Sequence, residues 1–274
     1  IKNKKNFKFM LSKENLLEIV NISVDAGEVI LNYYNENVDV IYKDDESPLT
    51  KADLASHKII TDSIKKITPD IPILSEEEFI DWKIRKKWKK YWLIDPLDGT
   101  KEFIKKNDEF TVNIALIENN RPILGVIYTP ALNELFYSIK NFGSYKILTK
   151  KKLNTLKEAK RISINKKKSN KIKIVGSRSH SNPILDKWVN KNFNEFDILQ
   201  KGSSLKFCLI AEGSADIYPR FGPTSEWDIA AGHIILEEAG GKLKSIDNKE
   251  ILYNEKENIL NPEFFAYSNI DFVI

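Results

Sequence analysis

The residues with the clearest capacity for chemistry are Asp95-Pro96-Leu97-Asp98-Gly99-Thr100, directly after the apolar run Tyr91-Trp92-Leu93-Ile94. Two carboxylates three residues apart, at the end of a hydrophobic strand, converge on one side of a proline-stiffened turn. Gly99 lets the main chain approach a ligand closely, and Thr100 adds a hydroxyl and an amide. Lys101-Glu102-Phe103-Ile104 then opens a helix whose first amides favour an anion. Oxygen donors of this kind suit a hard divalent cation, and Mg²⁺ is usually held by few carboxylates together with substrate phosphate. The same six residues also spell an ordinary Asp-Pro, Asp-Gly turn, so the segment does not decide by itself.

Three further acids extend the set. Glu76 opens Glu76-Glu77-Glu78 at the end of Ile71 to Leu74. Three adjacent acids usually form a solvated cluster, which describes Glu77 and Glu78, but a strand end is where α/β-type sites collect their ligands. Asp53 in Thr50-Lys51-Ala52-Asp53 and Asp228 in Ser225-Glu226-Trp227-Asp228 each lie three residues after a hydroxyl residue at a helix start. That spacing makes a capping box, with a carboxylate also favoured by the helix dipole. Capping is the simpler role for each taken alone, although a carboxylate at a helix start can also ligate metal.

Elements must exist to bring these acids together. The chain has 274 residues, 42% hydrophobic, 30% charged and 11% aromatic, which excludes a disordered or low-complexity protein. One cysteine, Cys208, excludes a disulfide framework and a cysteine-rich zinc site. The balance of 43 basic and 39 acidic residues gives +4, almost all of the positive charge being lysine. Arginine occurs only at 85, 121, 161, 178 and 220, so each arginine stands out against a lysine background. No apolar run approaches the ~20 residues of a membrane span. The basic start is followed by Glu14 and Glu18 and makes no signal-peptide core. A cytoplasmic address is expected, with peripheral attachment at the cytoplasmic face of an inner membrane left open.

Helical spacing runs from Ser12 to Tyr34, and a second helix is expected from Thr50 to before Pro69. Short apolar runs at 71–74, 91–94, 111–117, 123–128 and 134–139 read as strands. After the Lys-rich stretch 150–160 the pattern changes to strand 172–175, a helix through Ile184 and Val189, strand 196–199 and a helix through Leu205 and Glu212. Strand 215–218 and a last helix from Trp227 to Ala239 follow, stopped by Gly240-Gly241. Residues 1–11 are set aside as an N-terminal extension, with 12–155 expected as an α+β lobe and 156–274 as an α/β lobe.

Taken together, Ser-Glu-Glu from Ser75, Trp-Leu-Ile-Asp-Pro-Leu-Asp-Gly-Thr from Trp92, Trp-Asp-Ile-Ala-Ala-Gly from Trp227 and the later Glu-Ala-Gly-Gly resemble the inositol monophosphatase superfamily. The likeness extends from about Ser12 to the C-terminus. It implies a mixed α/β fold, a layered α-β-α-β-α sandwich, and a Mg²⁺-dependent, lithium-sensitive phosphomonoesterase. Asp98 to Phe103, Gly176 to His180, Gly202 to Cys208 and Tyr218-Pro219-Arg220 resemble its 3′(2′),5′-bisphosphate nucleotidase branch. That branch converts 3′-phosphoadenosine 5′-phosphate (PAP) to AMP and phosphate, clearing a by-product of sulfate assimilation; the phosphosulfate analogue PAPS is a second candidate substrate.

The resemblance makes Glu76, Asp95, the Leu97 carbonyl, Asp98 and Asp228 ligands to two or three Mg²⁺ ions in the first lobe's cleft with the second, nucleotide-binding lobe. It makes Asp53 the general base, paired with Thr100, and places the Gly99 and Thr100 amides on the 3′-phosphate beside Asp98 and Asp228. Ser203 and Lys206 would contact the nucleotide, Arg220 the 5′-phosphate and His180 the adenine end. His57 and His233 read as surface or packing residues, and no base accompanies Ser177 or Ser203 to make a nucleophile.

An inositol-phosphate or fructose-bisphosphate phosphatase is the nearer alternative, using the same acids. A nucleic-acid-binding protein is the alternative of another class, resting on the basic run from Lys83 to Lys90 around Trp88 and on Lys166 to Lys168. A solvated lysine-rich surface explains both runs, so no nucleic-acid partner is expected. Monomer and homodimer both remain open.

Overall fold

The computed structural model describes residues 13–35, 40–42, 48–166, 171–178 and 183–268. His180, expected at the adenine end, lies outside the described residues, as do Lys167 and Lys168.

Two helices open the fold, α1 (Lys13–Tyr34) and α2 (Lys51–Ile67), with the antiparallel pair β1 (Val40–Tyr42) and β2 (Pro48–Thr50) between them. Next come β3 (Ile73–Ser75), α3 (Trp82–Arg85), β4 (Lys90–Asp98), α4 (Thr100–Ile104), β5 (Thr111–Glu118), β6 (Arg121–Thr129), β7 (Glu134–Ile139), β8 (Gly143–Leu148) and β9 (Lys160–Ile162). Strands β3 to β9 form one seven-stranded sheet in sequence order. It is parallel between β3 and β4 and antiparallel elsewhere.

The chain continues through β10 (Ile172–Ser177), α5 (Pro183–Asn192), β11 (Phe196–Lys201), α6 (Leu205–Ala211), β12 (Ile217–Arg220), α7 (Glu226–Glu238), β13 (Lys242–Ser245) and β14 (Phe264–Tyr267). These strands form a five-stranded sheet in the order β11-β10-β12-β14-β13. Strand β10 is parallel to β11 and β12, and β14 is antiparallel to both its neighbours.

Side chains alternate across a strand, and this decides what each face covers. In β4, Trp92 and Ile94 pack with Ile19 and Val20 of α1 and Ile60 and Ile64 of α2. Tyr91 and Leu93 pack on the opposite face with Phe207 and Ile210 of α6 and Ile235 and Leu236 of α7. The second sheet divides in the same way. Val175, Leu243, Phe264 and Ala266 face α6 and α7, whereas Ile172, Ile174, Ile217 and Phe265 face Leu185 and Val189 of α5. The layers are therefore α-β-α-β-α, the expected sandwich. Helix α7 is apolar on most of its circumference, as a helix covered by a sheet on either side must be.

Six strands, β1, β2, β8, β9, β13 and β14, were not anticipated. The expected boundary at 155/156 falls between β8 and β9, and β9 completes the first sheet beyond it. The middle apolar cluster draws on residues from both sides of that boundary. The basic run 83–90 is turned partly inward. Arg85 is 3% exposed and donates to the Asn254 Oδ1 at 2.7 Å, and Trp88 packs 5.8 Å from the Tyr91 ring. Among the described residues, no helix is long and apolar enough to cross a membrane.

Candidate active site

The carboxyl end of β4 contains a bulge that organises the acids. Asp95 pairs with Asn113 and Asp98 with Thr111, so three steps on β4 oppose two on β5. In a regular strand, residues three apart point to opposite faces; the extra residue brings Asp95 and Asp98 to the same one. Pro96 has no amide hydrogen and is tolerated where the ladder is already interrupted. Its freed carbonyl accepts from Ser56 Oγ of α2 at 2.7 Å, so the buried backbone is satisfied.

Asp95 is 1% exposed and accepts from the Leu97 amide at 3.1 Å. Burial, then the charges of Glu76, Asp98 and Asp228, push its pKa well above the carboxylate range, and its carboxyl shares a hydrogen bond with Glu76. Asp98 Oδ2 accepts from the Ser204 amide at 2.6 Å and from Asn113 Nδ2 at 3.3 Å. Loss of solvent raises Asp98 too, opposed by Lys206, Asn113 and Ser204. Asp228 is raised well above its ordinary value by burial and by the Asp98 and Glu76 charges.

Both helix-start acids do form capping boxes. Asp53 Oδ2 accepts from the Thr50 amide at 2.8 Å and the Thr50 hydroxyl at 2.5 Å, and Asp228 Oδ2 accepts from the Ser225 amide at 2.8 Å. Capping uses only one oxygen of Asp53. The other, Oδ1, accepts from Thr100 Oγ1 at 3.2 Å, joining α2 to the start of α4. Thr100 Oγ1 also lies 3.3 Å from the Leu97 carbonyl. Burial raises Asp53 to about 6, against the lowering influence of Thr50. Gly99 caps α4 at φ 89°, a left-handed conformation suited to glycine, and a Cβ there would meet the Glu109 carbonyl at 3.2 Å. Helix α4 runs for five residues from Thr100.

Further groups come from α6 and from the end of β12. Lys206, on α6, is 7% exposed, with Nζ donating to the Ser203 carbonyl at 2.6 Å. Burial lowers its pKa to about 8, so it is still an ammonium at neutral pH. Arg220 ends β12, and Nη2 donates to the Pro223 carbonyl at 2.7 Å. Two buried polar atoms here, Ser203 Oγ and Arg220 Nε, have no hydrogen-bond partner. Both residues line a cleft of 630 Å³ together with Glu76, Asp98, Gly99, Thr100, Lys206 and Asp228. Asp53, Asp95 and Leu97 are buried and do not line that cleft. His57 bonds Ser75 Oγ at 2.9 Å and His233 bonds Tyr253 Oη at 2.9 Å, both in packing roles.

Whether these donors suit a metal is a question of chemistry and of placement. A group of oxygen donors that burial and mutual repulsion hold toward their neutral forms is one whose charges call for a hard cation. The described residues nevertheless contain no group of three or more His, Cys, Asp or Glu side chains placed to hold an ion. The structure thus offers compatible donors around one cleft and not a formed coordination shell.

Several supporting residues had been given no role from the sequence. Thr111, Asn113 and Ser204 form a hydroxyl-amide network behind Asp98, with contacts of 2.7 to 3.1 Å. Glu109 pairs with Arg178, 69 residues away. Trp227, Ile259 and Leu260 add apolar surface to the cleft. Arg178, Ser204 and Trp227 fall within the segments that carried the family resemblance, whereas Glu109, Thr111, Asn113, Ile259 and Leu260 were not singled out.

Comparison with known proteins concerns the chain as a whole. The sequence profile of the Inositol monophosphatase family matches residues 12–270. The 3′(2′),5′-bisphosphate nucleotidase CysQ of Escherichia coli (strain K12) is 43% identical over 249 residues, covering 90% of this chain and 97% of the relative. The crystal structure of CysQ from Bacteroides thetaiotaomicron, a bacterial member of the inositol monophosphatase family, superposes with a TM-score of 0.84 at 37% identity, covering 94% of this chain and 98% of that one. A Thermotoga maritima IMPase shares the fold, with a TM-score of 0.77 at 24% identity over 95% of each chain. Since the profile spans nearly the whole chain and the layered sandwich matches, this chain belongs to the inositol monophosphatase family.

Proposed function

We propose that the chain is a 3′(2′),5′-bisphosphate nucleotidase that removes the 3′-phosphate of PAP, giving AMP and phosphate. The observation that carries this is that the cleft holds cationic side chains besides its acids. Glu76, Asp98 and Asp228 line it together with Lys206 and Arg220, and Ser203 Oγ and Arg220 Nε have no protein partner. A monophosphate held by metal needs no further cations; the second phosphate of a bisphosphate does. Similarity to nucleotidases at 43% identity supports the same choice.

Glu76, Asp95, the Leu97 carbonyl, Asp98 and Asp228 would hold Mg²⁺, two or three ions, and the bound metal supplies positive charge against these carboxylates and against the charge that develops on the phosphoryl oxygens. The protein groups do the rest. Thr100 Oγ1, within reach of Asp53 Oδ1, orients the attacking water. Asp53 takes the water's proton at Oδ1, since Oδ2 is engaged by Thr50. A pKa of about 6 leaves Asp53 ionised at neutral pH yet basic enough to accept a proton. The water oxygen bonds to phosphorus while the bond to the ribose 3′-oxygen breaks. The Gly99 and Thr100 amides hold the 3′-phosphate, Ser203 and Lys206 the nucleotide, Arg220 the 5′-phosphate, and His180 the adenine end.

The test is phosphate release from PAP and from inositol 1-phosphate, each with and without Mg²⁺ and Li⁺. Faster turnover of PAP that requires Mg²⁺ and is inhibited by Li⁺ is the expected result. Equal or faster turnover of inositol 1-phosphate would favour the sugar-phosphatase alternative.

A further inference from the structure

Glu109, on the loop between α4 and β5, is 5% exposed and takes no part in the chemistry described above. Its Oε2 accepts from Arg178 Nε at 2.6 Å and from the Gly202 amide at 2.8 Å. Its Oε1 accepts from Arg178 Nη2 at 2.9 Å and from Lys201 Nζ at 3.1 Å. These donors lie just beyond or at the carboxyl ends of β10 and β11, the side on which open parallel sheets present their ligand-binding loops. One carboxylate of the first sheet's loop thus ties down two strand ends of the second sheet. Arg178 holds the arrangement from the other side, with Nη2 donating to the Gln200 carbonyl at 3.1 Å.

What this grip controls is the turn that follows. Ser203 has φ +47°, a left-handed conformation that non-glycine residues seldom adopt. A residue in such a conformation persists where its surroundings over-determine it. Here the amide on either side is fixed by a carboxylate: Gly202 N by Glu109, and Ser204 N by Asp98 at 2.6 Å. The turn cannot shift outward without losing these bonds. It cannot shift inward, because a Cβ on Gly202 would already lie 2.6 Å from Glu102 Cγ and 2.8 Å from the Glu109 carbonyl. Held this way, Ser203 presents an unpartnered hydroxyl on the cleft wall, and its carbonyl receives the Lys206 ammonium.

We propose that Glu109, clamped by Arg178, is a positioning residue that fixes the Gly202-Ser203-Ser204 turn, so that binding of the substrate's nucleoside end depends on it while the phosphoryl chemistry does not. The proposal rests on the nucleotidase function above. An ordinary exposed ion pair would contribute little. Glu109 differs because it is buried and holds a main-chain amide next to a strained residue.

The experiment is steady-state kinetics of Glu109→Gln and Arg178→Ala on PAP and on 4-nitrophenyl phosphate, a monoester without a nucleoside. Each variant should raise the KM for PAP about tenfold, as expected for loss of a charged hydrogen bond. The kcat on PAP and the rate on 4-nitrophenyl phosphate should stay within about twofold of wild type. In a Ser203→Ala background, Glu109→Gln should add no further rise, because groups that act as one unit are not additive. Unchanged KM, equal losses on both substrates, or additive effects with Ser203→Ala would overturn the assignment. If Glu109→Gln does not fold, Arg178→Ala carries the test, since it leaves Glu109 with Lys201 and the Gly202 amide. A wild-type enzyme inactive on PAP would defeat the nucleotidase function and this proposal together; an active wild type with unaffected variants would defeat only this proposal.

Discussion

Replacing Arg220 with alanine isolates the second-phosphate contact. Arg220 is held by the Pro223 carbonyl and by Tyr218, and Asp228 feels its charge only as a minor influence. Its Nε has no partner, so a phosphate oxygen can be received without breaking a protein bond. A hydrogen bond between charged groups contributes about 1.5–3 kcal/mol. Arg220 is only half-buried, so solvent screening places the effect in the lower part of that range, about 1.5–2 kcal/mol. That is about a 10- to 30-fold rise in the KM for PAP, with kcat nearly unchanged. Phosphate release from PAP and from adenosine 3′-phosphate, measured side by side, tests this, because the second substrate lacks the 5′-phosphate and should be spared. Arg220→Lys should recover part of the loss, supplying a point charge without the planar fork. Equal losses on both substrates, or a fall in kcat at constant KM, would refute the assignment.

Asp53→Asn should lower kcat about 10²- to 10⁴-fold while still capping α2, and wild-type kcat/KM should climb as pH rises through about 6, where Asp53 loses its proton; a flat profile there would contradict its role as base. Asp95→Asn should abolish turnover yet raise the melting temperature of the cation-free protein by at least about 2 °C. The folded protein raises the Asp95 pKa, so its charge opposes folding near neutral pH and a neutral isostere relieves that cost; calorimetry checks the sign. Glu237 is pushed up by burial, but His233 and the Arg121 guanidinium, 2.8 Å away, hold it down at about 2. With a folded pKa below the unfolded value of about 4.3, it stabilises the protein above that pH and loses this as pH falls through about 2. Glu237→Gln should therefore cost on the order of 1–3 kcal/mol in urea denaturation at neutral pH, and a deficit of the same size near pH 2 would contradict the linkage.

The amphipathic helices and the apolar strands of the first sheet were legible because period and length agree there. Thr50 and Ser225 also marked their helix starts, since a capping box is a local pattern, spanning four residues in both cases. Strand β14 was not legible: all four of its residues are buried, so no alternation marks it. Strand β9 has three residues, two of them exposed, and is defined by its pairing with β8 and not by its composition. The β4 bulge lies between these cases, for Pro96 interrupts the ladder visibly, while the shared face of Asp95 and Asp98 appears only in the register against β5. The Glu109–Arg178 pair and the Asn113–Ser204 contact join residues 69 and 91 positions apart. No local spacing encodes them; they arise when the two sheets close around α6 and α7.

The most direct measurement is ³¹P NMR of PAP turned over by the purified protein with Mg²⁺. Inorganic phosphate should appear in step with AMP, the 5′-phosphate signal persisting and the 3′-phosphate signal disappearing. Formation of adenosine 3′-phosphate, or an unchanged PAP spectrum under conditions where inositol 1-phosphate is consumed, would contradict the proposed function.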